Sequence, residues 1–150
     1  MEPHLDVVTL AVADLELSLA FYRRLGLEST GVVGTQWSDE RTGSSGAVAM
    51  FELDAGLLLN LYSRADLAKD AEIPVGLPQS GEFSLAQLVR SRAEVDQLLE
   101  TAAAAGATVT PAHHRPWGIY SGYFRDPDGH LWEVIWHPER GPRPRGLSSA

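Results

Sequence analysis

Trp117-Gly-Ile-Tyr-Ser-Gly-Tyr-Phe-Arg-Asp-Pro-Asp-Gly-His-Leu-Trp-Glu-Val-Ile-Trp-His137 reads as two strands joined by a tight turn. Asp126-Pro127-Asp128-Gly129 supplies the turn: proline presets φ at the second position, and glycine takes the left-handed position at the end. The flanks alternate with the two-residue period of strands. In the second strand Trp132, Val134 and Trp136 fall on one face, and Leu131, Glu133 and Ile135 on the other. One carboxylate, Glu133, thus stands on an otherwise apolar strand face, and a functional reading has to account for it.

The upstream segments supply the rest of a domain. Residues 5–13 are β-branched and apolar and predict a strand. Its faces are Val8, Leu10 and Val12 against Val7, Thr9 and Ala11. Asp14 suits the N-cap of a helix carrying Leu15, Leu19 and Tyr22, with Arg23 and Arg24 at its negative end and Gly26 as its stop. Strands are predicted over 28–35, 47–53 and 57–62, with a loop over 36–46 and a turn at Asp54-Ala55-Gly56. Residues 64–81 read as a linker whose first part carries weak helix signals. A strand over 83–90 follows. Ser91-Arg-Ala-Glu94 then forms a capping box for a helix that stops at Gly106. A short strand over 107–110 and a loop holding His113 and His114 lead into the hairpin. The tail, 139–150, lacks apolar periodicity and is expected to be mobile.

Composition narrows the function classes. A chain of 150 residues can bury one proper core. No apolar run nears the ~20 residues of a membrane-spanning helix, and no secretory signal is visible at the N-terminus. The absence of cysteine excludes disulfides, thiolate metal sites and cysteine nucleophiles, and fits a cytoplasmic protein. A net charge of −8 lacks the basic footprint of a nucleic-acid binder. No nucleic-acid or membrane partner is therefore expected. The acidity either favours a cationic ligand or serves solubility alone.

The order strand, helix, strand, strand, strand occurs twice, over about 5–63 and 82–137. Gly56-Leu-Leu-Leu-Asn60 aligns with Gly129-His-Leu-Trp-Glu133, and the opening strands place Val7 opposite Gln87. The fold class is accordingly α+β: two βαβββ units forming a curved, cavity-enclosing mixed sheet with helices outside. Val7, Asn60, Gln87 and Glu133 would point into that cavity.

Leu10-Ala-Val-Ala-Asp-Leu15 leading into Phe21-Tyr22 and Leu25-Gly26, with Asp126-Pro-Asp-Gly-His-Leu-Trp-Glu133 closing the second unit, resembles the vicinal oxygen chelate superfamily. This is the glyoxalase/bleomycin-resistance/extradiol-dioxygenase group. The resemblance covers residues 5–138 as a single domain of two modules. It implies metal ligands at the four cavity positions in those members that use metal, and a homodimer.

Here those positions read Val7, Asn60, Gln87 and Glu133, so Glu133 is the one residue matching a superfamily metal ligand. Valine cannot ligate, and neutral amides suit Zn, Fe or Ni poorly. No cofactor is expected, with a divalent metal as the alternative. Of the histidines, His4 faces away from the ligand position, His130 belongs to the turn, His137 ends a strand, and His113 and His114 precede the hairpin. His114 is the candidate for a ligand contact. Trp37, Trp117, Tyr120, Tyr123 and Phe124 are placed where a planar ligand could stack.

Glu133 admits three roles: a remnant tied to neighbouring polar groups, a ligand anchor, or a general acid or base. The leading expectation is a metal-independent binding protein holding an aromatic or cationic compound. The alternatives are a lyase, isomerase or dioxygenase using Glu133 as base or metal ligand, and a structural module with an occluded cavity.

Overall fold

The protein is described by a computed structural model covering residues 5–78 and 80–142. His4 and most of the 139–150 tail lie outside the described residues. The chain divides after residue 78 into two compact units. The first has the order βαβββ and the second adds one short strand to it, so the two mixed sheets have four and five strands.

In the first unit, β1 (Val7–Val12), β4 (Leu58–Ser63), β3 (Val48–Glu52) and β2 (Val32–Val33) lie side by side in that order. The β1–β4 pair is parallel, and the others are antiparallel. Helix α1 (Leu15–Arg24) starts where the Asp14 carboxylate accepts from the Leu17 amide at 2.9 Å. The alternation of β1 is expressed as predicted: Leu10 and Val12 are buried with Leu59, Leu61, Ala49, Phe51 and the α1 residues Leu19, Phe21 and Tyr22. Tyr22 sits 5.8 Å from Phe51 between ring centroids. Only Val32–Val33 survives of the strand predicted over 28–35. Gly31 and Gly34, with φ of 112° and 75°, turn the backbone out of the extended region on either side.

The 36–46 loop is tied down. Asp39 accepts from the Arg41 and Thr42 amides, and the Ser45 amide donates to Asp66 at 3.0 Å. Asp66 belongs to α2 (Arg64–Asp70), which occupies the first part of the predicted linker and is capped by Ser63.

In the second unit the order is β5 (Leu85–Val89), β9 (Leu131–Trp136), β8 (Tyr120–Arg125) and β6 (Thr108–Val109), with β7 (His113–His114) also paired to β8. Helix α3 (Arg92–Ala105) covers one face and buries Val95, Leu99 and Ala102 with Phe124 and Val134. Its capping box is displaced by one residue: Ser91 accepts from the Glu94 amide, but Glu94 reaches the Arg90 amide rather than that of Ser91. Gly122 allows α3 its close approach, since a Cβ there would lie 2.6 Å from Leu99 Cδ1 and 3.1 Å from Ala112 Cα.

The hairpin turn is internally satisfied. Asp126 Oδ1 accepts from the amides of Asp128 at 3.0 Å and His130 at 2.9 Å, while Oδ2 pairs with His130 Nδ1 at 2.8 Å. This fixes the β8–β9 register, with Tyr123 opposite Glu133.

Candidate functional site

Strand alternation and register decide what shares a face with Glu133. On β8 these are Ser121, Tyr123 and Arg125; on β5, Ala86 and Leu88; on β7, His113, which pairs with Ser121. A polar chain runs across this face. Arg115 Nε donates to Ser121 Oγ at 3.1 Å, and Ser121 Oγ donates to Glu133 Oε1 at 2.8 Å. Ser121 is fully buried, while Arg115, Tyr123 and Glu133 are half-buried. The Arg115 guanidinium lies 5.5 Å from the Tyr123 ring centroid. Burial first, then the charge and hydrogen bonding of Glu133, raise the Tyr123 phenol above its ordinary value, with Arg115 pulling the other way. The phenol is thus a retained proton beside a carboxylate.

Several predicted site residues are placed elsewhere. Gln87 pairs with Val134 and Ala86 with Glu133, so Gln87 lies on the opposite face. Thr9 pairs with Asn60 and Ala86 with Glu133, so the counterpart of Val7 is Ser84; Gln87 is three residues away, and an odd offset reverses a strand's faces. Tyr120 and Phe124 also fall on the α3 face. Tyr120 donates to Asp96 of α3 at 2.9 Å, and Phe124 is buried and stacked on Trp132 at 5.9 Å. His114 pairs with Tyr120, and its ring rests 5.1 Å away. His113 and His114 form a strand rather than a loop, because Pro116–Gly118 makes a tight turn and the Arg115 amide donates to the Ile119 carbonyl.

Trp117 occupies that turn, 86% exposed, at φ 62°. A bulky side chain in the left-handed region costs of order 1 kcal/mol. His130 is bound into the Asp126 turn.

Val7 and Asn60 lie in the first unit on one face of its sheet. Asn60 pairs with Thr9 on one side and Met50 on the other. Its Oδ1 is buried without a hydrogen-bond partner among the described residues. Of the residues singled out in the sequence, Glu133 and Tyr123 fall on the polar face of the second unit. Ser121 and Arg115 were not anticipated. Ser121 reaches the Glu133 face because Asp126 pairs with His130, which sets Ser121 opposite Ile135; no sequence signal places Arg115.

The donor set does not fit a transition-metal ion. No group of three or more His, Asp or Glu side chains stands at metal-binding range among the described residues. Glu133 Oε1 is committed to a hydroxyl proton, and the positions beside Asn60 and Glu133 are Thr9 and Ala86.

Comparison with known proteins agrees with this geometry at the level of the fold. No curated protein matches the sequence. A glyoxalase-related enzyme from Fulvimarina pelagi is 30% identical over 91% of this chain and 89% of its own, with a TM-score of 0.74. A lactoylglutathione lyase from Agrobacterium tumefaciens is 26% identical, covering 91% and 95%, with a TM-score of 0.60. A fosfomycin resistance protein, FosX, from Listeria monocytogenes is 25% identical, covering 89% and 90%, with a TM-score of 0.63. That FosX structure is a glutamate-to-glutamine mutant complexed with Mn(II) and 1S,2S-dihydroxypropylphosphonic acid. The family model of the glyoxalase/bleomycin resistance protein/dioxygenase superfamily matches residues 4–134, and the chain belongs to that superfamily.

Proposed function

We propose that the chain is a metal-independent small-molecule binding protein whose ligand lies against the Glu133 face of the second unit. The observation that carries this is the hydrogen-bonded chain from Arg115 through buried Ser121 to Glu133. It holds polar groups in place before any ligand arrives, which is what a binding site needs. A carboxylate whose oxygen already accepts a buried hydroxyl proton is better suited to orienting a ligand than to gripping a metal. Tyr123 adds an aromatic surface and a protonated phenol to the same face. The lactoylglutathione lyase and FosX relatives support a small organic molecule as the ligand class. The expectation of a purely cationic ligand loses weight, because Arg115 offsets the Glu133 charge.

A second reading has its own support. A protonated phenol beside a carboxylate is an acid–base pair suited to a lyase or isomerase, with Glu133 as base and Tyr123 as acid. The family resemblance adds a homodimer to the proposal, which sedimentation equilibrium tests.

The deciding experiment is elemental mass spectrometry of untagged protein dialysed without chelator, followed by a thermal-shift screen of small aromatic compounds. Background metal and a saturable shift are expected. Near-stoichiometric Zn, Ni, Fe or Mn that is lost in Glu133→Ala overturns the reading. Absence of any saturable ligand favours a purely structural module.

A further inference from the structure

The Glu133 face is cationic in an acidic protein. The chain carries a net charge of −8. Yet Arg115 and Arg125 share this face with the single carboxylate of Glu133. Arg125 Nη1 donates to the carbonyls of Ser80 and Gly129, both at 2.7 Å. These are neutral acceptors, so its charge is left uncompensated by any carboxylate among the described residues.

Arg115 differs from Arg125 in what it has left to offer. Its Nε is held by Ser121, and its guanidinium plane is steadied over Tyr123. Its Nη1 and Nη2 have no partner among the described residues. Glu133, the opposing charge, is tied to the Ser121 hydroxyl rather than to the guanidinium, so no ion pair consumes Arg115. A guanidinium pinned at Nε presents its two Nη groups as a fork, and that fork matches two oxygens of one acid group.

We infer that Arg115 anchors the ligand, and that the ligand is a small organic anion bearing a carboxylate or phosphonate held by Nη1 and Nη2. This rests on the ligand site proposed above and narrows it to one chemical class. Ser121 acts as a positioning residue, fixing the guanidinium from one side while satisfying Glu133 from the other. Glu133 is then left to accept from a hydroxyl or amine elsewhere on the same ligand.

The test uses three probes of similar aromatic bulk: phenylphosphonate, benzyl alcohol and benzylammonium. Each is titrated at constant ionic strength into wild type, Arg115→Gln, Arg115→Lys and the surface control Arg24→Gln, read by thermal shift and calorimetry. Phenylphosphonate is expected to saturate the wild type at least tenfold more tightly than the other two. Arg115→Gln should lose at least tenfold in its affinity, Arg115→Lys should fall between, and Arg24→Gln should match wild type. Saturable binding of benzyl alcohol or benzylammonium without phenylphosphonate overturns the anion assignment and leaves the binding function standing. Undiminished phenylphosphonate affinity in both Arg115 variants overturns it too. Binding of none of the three overturns both the anion assignment and the site.

Discussion

Replacing Asp126 with alanine should damage the fold more than any other single change in the β8–β9 turn. Asp126 is 5% exposed, and its carboxylate serves three donors: the amides of Asp128 and His130 and the His130 ring nitrogen. Alanine leaves two buried amides without acceptors, at about 1–3 kcal/mol each, and breaks the imidazole contact as well. With about 1 kcal/mol for the imidazole contact the sum is about 3–7 kcal/mol, a large share of the ~5–15 kcal/mol that holds an ordinary domain together. Asparagine keeps one oxygen for the amides and loses the charge, so Asp126→Asn should cost about 1–2 kcal/mol. Urea unfolding followed by far-UV circular dichroism measures both. With a slope of about 2 kcal/mol/M, the alanine midpoint should fall by roughly 1.5–3.5 M with the slope unchanged. A loss below about 1 kcal/mol for alanine, or equal losses for alanine and asparagine, would refute the claim that this side chain satisfies the turn.

Three further outcomes follow from the same geometry. Gly122→Ala should destabilise by about 1–3 kcal/mol, because the new methyl meets Leu99 and the Ala112 backbone; equal stability would show that α3 moves aside freely. The Asp66 carboxyl is held below its ordinary 3.8 chiefly by the Ser45 amide, against the opposing effect of burial. A depressed folded value gives stability that is full above about pH 4 and lost as pH falls through the folded value. The Ser45 amide resonance should therefore titrate below 3.8 and stop titrating in Asp66→Asn. The Tyr123 phenol is raised by burial and then by Glu133, so the unfolded chain loses that proton first and folding weakens as pH climbs past the ordinary 10.0. Carbon-13 tyrosine spectra of Glu133→Gln should show Tyr123 moving part of the way back toward 10.0, and an unmoved value would deny the Glu133 contact.

What was legible in the sequence was local. The Asp-Pro-Asp-Gly turn and the alternation of Leu131–Trp136 fixed one hairpin and isolated Glu133 on its face. Asp14 and Ser91 mark helix starts through side chains that accept from nearby amides, and Gly106 marks a helix end through its left-handed backbone. What was illegible depended on pairing at a distance. Residues 83–90 read Phe-Ser-Leu-Ala-Gln-Leu-Val-Arg, which has no clean two-residue period, so nothing in them set the register against β9 and Gln87 was assigned the wrong face. The faces taken by Tyr120 and Phe124 depend on the register through the turn. A turn of four residues, 126–129, would give them the Glu133 face, whereas Asp126 pairs with His130 and sets them beside Trp136 and Trp132. Strand β7 exists because Trp117 accepts a left-handed backbone, which its residue type argues against, and Arg115 is aimed by that strand.

The repeat also puts the two units' polar positions in correspondence. Asn60 and Glu133 occupy the same place in the two units, each on the strand that pairs in parallel with its unit's opening strand. Around Asn60 the paired neighbours are Thr9 and Met50, and its buried oxygen has no partner among the described residues. Around Glu133 stand Tyr123, Ser121 and, through Ser121, Arg115. A burial penalty at Asn60 with nothing built to offset it, set against a carboxylate whose oxygen is held by a buried hydroxyl, is an asymmetry the shared backbone does not require. Two copies of one scaffold therefore differ in their polar groups, and on the proposed function substitutions at Arg115 or Glu133 should change ligand affinity while leaving the fold intact.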